Sequence, residues 1–270
     1  MNAIEKLNKK NNEGKFICIG LDTDTNKLPA CVKDKANPVL EFNKAIIEKC
    51  SAYAAAYKLN FAFYERDGYK GLQTLEETIA LIPDDILIIA DAKRGDIGNT
   101  SKMYAEAILE KMNFDSITIN PYMGNDSIEP FIKNPDKLVF ILALTSNAGA
   151  SDFEKQKLED GTYLYQLVID KVNEWNTKNN CGIVFGATKS EELHQNMERI
   201  GQLPVLLPGV GAQGGSLEDV VKTFREYKRK KFLINVSRGI IYKSGKSDFA
   251  EAAFKEIVSL NDSAGHIFNE

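Results

Sequence analysis

Ile86-Leu-Ile-Ile-Ala90-Asp-Ala-Lys93-Arg-Gly95-Asp96-Ile-Gly-Asn-Thr100 is the stretch on which the reading of this chain turns. Its first five residues are apolar with no polar alternation. A strand of that kind is buried on both faces, as in a parallel sheet. Charged residues follow at once, then a glycine that permits a turn, then a helical stretch over 98–112. Strand, charged loop and helix make one βα unit. Working outward, short apolar runs of the same kind recur at 16–21, 54–58, 116–119, 138–144, 182–185, 204–207 and 232–236. The run at 54–58 is read as a strand from its place in the series, because Tyr53-Ala-Ala-Ala-Tyr57 has helical propensity. Helical segments are expected at 38–51, 70–81, 126–133, 160–178, 189–199, 216–229 and 247–260, with Asp126, Asp160 and Ser216 as N-caps. Eight alternating units predict an α/β fold, a (β/α)8 barrel of the TIM type, as a single domain over residues 1–270. A doubly wound open sheet is the rival, and the count of eight favours the barrel.

The bulk numbers agree. A chain of 270 residues with 43% hydrophobic residues can bury a core of that size. The net charge of -4 is made of acids and bases mixed along the chain, so no basic face for nucleic acid forms. Lys228, Arg229, Lys230 and Lys231 read as a solvated helix end. The cysteines at 18, 31, 50 and 181 form no C-x-x-C pair, which argues against a zinc site or a disulfide framework. Cys18 and Cys181 sit in apolar runs and read as core residues. His194 and His266 lie in polar stretches and read as solvated, which leaves a histidine triad or a histidine-ligated metal without its parts. The N-terminus has no apolar signal core, and the apolar run 138–144 is too short to span a bilayer. The expectation is a soluble, cytoplasmic protein with no membrane association.

In such a barrel the reactive groups sit where strands end. Here the strand ends carry Asp22, Lys58, Asp91 to Asp96, Thr145-Ser146-Asn147, Pro208 to Gly215, and Ser237-Arg238-Gly239. Asp91 and Lys93 are two apart on a strand, so their side chains point the same way. D-x-K-x-x-D alone would describe any charged surface loop. Strand-end charges of alternating sign around one mouth describe an active site better. Such an array can keep Lys93 protonated and aim its proton at one substrate atom.

Gly209-Val-Gly211-Ala-Gln213-Gly214-Gly215 matches G-x-G-x-x-G, but a dinucleotide site needs an acid at the end of the next strand, and Arg238 stands there. A phosphate monoester fits better: glycines expose backbone N–H groups, Gln213 can donate, and Arg238 can fork onto the phosphate. The polar, small-residue segment 145–160 reads as a mobile lid or as an inert loop.

These residues resemble the orotidine 5'-monophosphate decarboxylases, in particular the longer bacterial branch. The resemblance rests on Gly20-Leu-Asp22, Lys58 to Glu65, Asp91 to Thr100, Thr145 to Gly149, Leu207 to Gly215 and Ser237-Arg-Gly239. Ala148 departs from the proline common there. The resemblance implies conversion of orotidine 5'-monophosphate to uridine 5'-monophosphate, the last step of de novo pyrimidine nucleotide synthesis, with no metal and no organic cofactor. It implies a catalytic tetrad of Lys58, Asp91, Lys93 and Asp96, with Lys93 as proton donor to C6 and Asp91 beside the departing carboxylate. Asp22 and Lys58 would hold ribose hydroxyls, Ser146 the pyrimidine edge, and Gln213 and Arg238 the phosphate. Asp96 and Thr100 would reach into a neighbouring subunit's site, which implies a homodimer with shared sites. The rivals are a metal-dependent sugar-phosphate decarboxylase or aldolase on a similar barrel, and a non-catalytic nucleotide-binding barrel. The first rival wants an acid where Lys58 stands.

Overall fold

The computed structural model describes residues 1–211 and 214–269. Eight parallel strands close on themselves in sequence order: β1 Ile17–Gly20, β2 Ala56–Asn60, β3 Leu87–Arg94, β4 Ser116–Ile119, β5 Leu138–Leu144, β6 Cys181–Phe185, β7 Val205–Pro208 and β8 Phe232–Val236. The pairing of β1 with β8 completes the barrel, with Ile17 opposite Ile234. The helices are α1 Ala3–Asn12, α2 Ala30–Lys33, α3 Pro38–Cys50, α4 Phe61–Glu65, α5 Gly68–Ile79, α6 Gly98–Ala105, α7 Asn125–Ile132, α8 Leu164–Trp175, α9 Ser190–Ile200, α10 Leu217–Glu226, α11 Arg238–Ile241 and α12 Phe249–Asn269. The TIM-type (β/α)8 architecture expected from the apolar runs is present.

The period-two alternation of the strands splits their residues into two cores. Outward-facing Ile17, Ile19, Tyr57, Ile88, Ile117, Val139 and Ile234 pack under the helices in the larger core. Inward-facing Cys18, Ala56, Leu87, Ile89, Leu138, Phe140, Val184, Leu206 and Leu233 fill the barrel itself. Gly182 leaves room there: a Cβ on it would meet the Phe140 ring at 2.9 Å. The packed layers end where the inward rows change to polar residues, and that change positions the site.

Several boundaries differ from the sequence reading. β2 begins at Ala56, while Ala54 and Ala55 approach it as buried coil and Ala55 N donates to Ile17 O at 2.9 Å. Barrel closure thus overrides the helical propensity of the alanines. β3 runs on to Arg94 and carries the charged residues within the strand. The stretch 98–112 starts as α6 and continues as π-helical turns over Glu106–Lys111. Ser216 caps α10 by accepting from Asp219 N, as expected. Asp126 instead lies in the first turn of α7, whose cap is Gly124 at φ 89°. Asp160 accepts from Thr162 N in a tight turn, and Tyr163 caps α8. The last helix reaches Asn269, so His266 is helical rather than part of a tail. Cys18 and Cys181 are buried core residues, and His194 is half exposed beside Glu226.

The sequence reading omitted the short helices α2, α4 and α11 and, more consequentially, α1. Asn2 and Glu5 form a capping box at its start, and Ala3 and Leu7 close the bottom of the barrel interior. Lys6 and Lys10 lay buried stems along it and reach Asp115 and Asp85 at 2.8 and 2.7 Å. Only two of its positions are deeply apolar, so its apolar stripe is thin. No helix among the described residues is long and apolar enough to cross a membrane.

Candidate active site

Each site residue continues an inward-facing row. Lys58 stands two residues above Ala56, Asp91 above Ile89, Thr118 above Ser116 and Asn235 above Leu233. They meet at the C-terminal mouth, around a cavity of about 280 Å³ whose lining includes Asp22, Lys58, Asp91, Lys93, Thr118 and Ser146. A larger hollow of about 720 Å³ lies outside the barrel between α6 and α7. The mouth is the better candidate because charged groups of several strands converge on it.

Asp91 is the hub. Lys58 Nζ lies 2.7 Å from its Oδ2 and Lys93 Nζ 2.6 Å from its Oδ1. The Thr118 hydroxyl donates to Oδ1 at 2.9 Å. Asp22 stands on the far side of Lys58, its Oδ1 at 3.7 Å from Nζ. The side chains of Lys58 and Asp91 are only 5% and 10% exposed, whereas Lys93 is 49% exposed. Burial pushes the Asp91 carboxyl toward its neutral form, but Lys58 and then Lys93 outweigh this and hold it well below the usual carboxylate range. Burial likewise disfavours the Lys58 ammonium, and Asp22 and Asp91 reverse this and hold it charged above the usual lysine range. The result is a fixed sequence of charges, minus, plus, minus, plus, ending on the accessible Lys93.

The predicted residues divide into groups. Asp22, Lys58, Asp91, Lys93 and Ser146 line the cavity together. Asp96 and Thr100 do not line it: the Asp96 carboxylate accepts from Ile97 N at 2.8 Å, and Thr100 is exposed on α6. Arg238 is exposed at the start of α11, at the end of β8. Gln213 lies outside the described residues. The glycine loop differs from expectation in one respect. The N–H groups of Gly211, Gly214 and Gly215 donate to Gly215 O, Gly211 O and Gly209 O, so they close the loop on itself rather than standing open for a phosphate. Gly215 has no space for a side chain, since a Cβ would meet Gly209 O at 2.8 Å.

The segment after β5 is folded back on the mouth. Thr145 N and Oγ1 both donate to the Glu154 carboxylate, at 2.7 and 2.8 Å. Lys155 pairs with Glu192 on α9, which ties the segment to the neighbouring unit. Sequence reasoning missed Asn60, Thr118 and Asn235, all of which line the cavity. The signal was available in the rows themselves: each lies two residues beyond an inward-facing position, and a polar residue there faces the mouth.

These features define a class, (β/α)8 barrels with an alternating Lys/Asp centre in the C-terminal mouth. A family model described as orotidine 5'-phosphate decarboxylase / HUMPS matches residues 15–253. An orotidine 5'-phosphate decarboxylase of Dehalococcoides mccartyi is 43% identical over 270 residues, covering 98% of each chain. One of Christiangramia forsetii is 50% identical over 241 residues, covering 88% of each. Among solved structures, the Leishmania donovani OMP decarboxylase superposes with a TM-score of 0.81 at 34% identity, covering 97% of this chain and 99% of that one. The chain belongs to the orotidine 5'-phosphate decarboxylase / HUMPS family.

Proposed function

We infer that this protein decarboxylates orotidine 5'-monophosphate to uridine 5'-monophosphate and carbon dioxide. The observation that carries the reading is the buried Lys58–Asp91–Lys93 array in a chain whose relatives are named for that reaction. The bond from C6 to the carboxylate breaks and its electron pair stays on C6. The Lys93 ammonium, the exposed end of the array, stabilises that pair and then gives C6 its proton. The array is preorganised: its charges are fixed before substrate arrives, so little reorganisation opposes the step. Asp22 and Lys58 hold the ribose, Ser146 the pyrimidine edge, and Arg238 with Gln213 the phosphate. Binding energy from the phosphate, remote from C6, helps to close the site.

The active form is a homodimer in which Asp96 and Thr100 complete the partner's site. Its support is a set of exposed apolar side chains on the segments that follow β3, β4 and β5: Ile97, Met103 and Tyr104, then Tyr122 and Met123, then Phe153, whose ring meets that of Tyr122. Large apolar side chains left exposed on the segments after three adjacent strands suit an interface better than water. The metal-dependent sugar-phosphate reading of the same fold is disfavoured by Lys58. It stands between Asp22 and Asp91 and already neutralises the carboxylates that a divalent cation would need.

The direct test is an ultraviolet assay of purified protein with orotidine 5'-monophosphate. The orotate absorbance falls if the inference holds. A steady absorbance at high enzyme concentration rejects it.

A further inference from the structure

We propose that Thr118, at the third position of β4, is a positioning residue that sets the geometry of the Lys93 proton donor; this rests on the decarboxylase reading above. The starting observation is backbone. β3 and β4 pair regularly at Ile89–Ser116 and Ala90–Ile117, and their register then shifts before Arg94 pairs with Ile119. Asp91, Ala92 and Lys93 are unpaired on the β4 side in that interval, although Asp91 still pairs with Asn60 of β2. Lys93 has φ 46°, the left-handed region that residues with a Cβ seldom occupy. Strain of this kind persists only where the surroundings hold it.

Thr118 is what holds it. Its Oγ1 accepts the Lys93 N–H at 3.1 Å, replacing the main-chain acceptor that the register shift removes. The same hydroxyl donates its proton to Asp91 Oδ1 at 2.9 Å, the oxygen that also receives Lys93 Nζ. One hydroxyl therefore spans the backbone of the proton donor and the carboxylate that aims it. Thr118 is 1% exposed, so water does not substitute for either bond. The residue also fits by direction: it is the inward position after Ser116, and its β-branched side chain is restricted at χ1.

The phosphate and ribose contacts proposed above lie on other strands, so loss of the hydroxyl should act on the chemical step and leave binding alone. The test compares Thr118→Val, which keeps the shape and removes the hydroxyl, with Thr118→Ser, which keeps the hydroxyl. In Thr118→Val, kcat should fall about 10- to 100-fold, the size of a lost hydrogen bond to a charged group. KM and the affinity for uridine 5'-monophosphate should stay within about threefold, a difference under 1 kcal/mol. Thr118→Ser should recover kcat to within about threefold of wild type. Exchange of the C6 hydrogen of uridine 5'-monophosphate with deuterium from solvent, which reads the Lys93 proton transfer without any C–C cleavage, should fall in parallel with kcat. If Thr118→Val does not fold, Thr118→Ala, which also lacks the hydroxyl and cannot overpack, takes its place.

Unchanged kcat in the hydroxyl-free variant overturns the proposal. So does an equal loss in Thr118→Ser, or a loss confined to KM. Absence of turnover in the wild type itself would reject the decarboxylase reading and is visible before any variant is made.

Discussion

Lys58 and Asp91 form a nearly dry ion pair, 2.7 Å apart, between adjacent strands. Its two members come from different rows of the barrel, and neither has a second side of solvent to fall back on.

Replacing Lys58 with Ala leaves the Asp22 and Asp91 carboxylates in the mouth with one cation fewer. Breaking a buried pair from one side costs about 3–5 kcal/mol. Urea unfolding should show a loss of that size, carried in the midpoint rather than the slope. A loss below about 1 kcal/mol, the surface-pair range, would mean that water reaches the pair.

The same pair sets a pH dependence. Asp91 is depressed below its ordinary value of 3.8, so the stability it contributes is complete above that value and is lost as pH falls beneath it. Lys58 is raised above 10.5, so its contribution is complete below that value and is lost as pH rises from there through its folded value. Unfolding free energy should therefore be flat, as far as this pair is concerned, between about pH 5 and pH 9, and should fall on acidification below about pH 4. Asp91→Asn should remove part of the acid slope. An acid slope identical in wild type and Asp91→Asn would show that other carboxylates account for all of it.

Turnover should survive exhaustive chelation, because Lys58 already supplies the positive charge between Asp22 and Asp91. Among the described residues no three His, Cys, Asp or Glu side chains cluster to hold a metal. Activity that disappears on chelation and returns with magnesium would favour the sugar-phosphate branch of the fold.

Arg238→Ala should weaken uridine 5'-monophosphate and spare uridine. Each charge-assisted bond to phosphate contributes about 1.5–3 kcal/mol. Calorimetric titration of both ligands separates the outcomes, and equal weakening of the two would remove Arg238 from the phosphate role.

Two inactive variants should complement each other if sites are shared. Lys93→Ala and Asp96→Ala, mixed after dissociation, give mixed dimers that carry one intact site each. Random pairing makes about half the dimers mixed, so activity should return to about a quarter of wild type. Proven subunit exchange without recovery would place Asp96 in its own subunit's service.

The architecture was legible because the barrel strands are buried on both faces, and that burial writes short apolar runs into the chain. Asp91 and Lys93 were legible because alternation on a strand is local: two residues apart means one side of the sheet. The Ser216 cap was legible for the same reason, its partner Asp219 being three residues away. What tertiary structure decided lies between elements. Burial against the barrel bottom makes α1 a plug, although its own apolar stripe is thin. The register shift between β3 and β4 brings Thr118 to Lys93 and Asp91, and no periodicity within either strand encodes an offset between them. The fold-back of the glycine loop likewise spends N–H groups that composition alone left open. Local pattern records which side of an element is buried; which side chains then meet across the mouth depends on how eight strands close, and that is settled only when β8 pairs with β1.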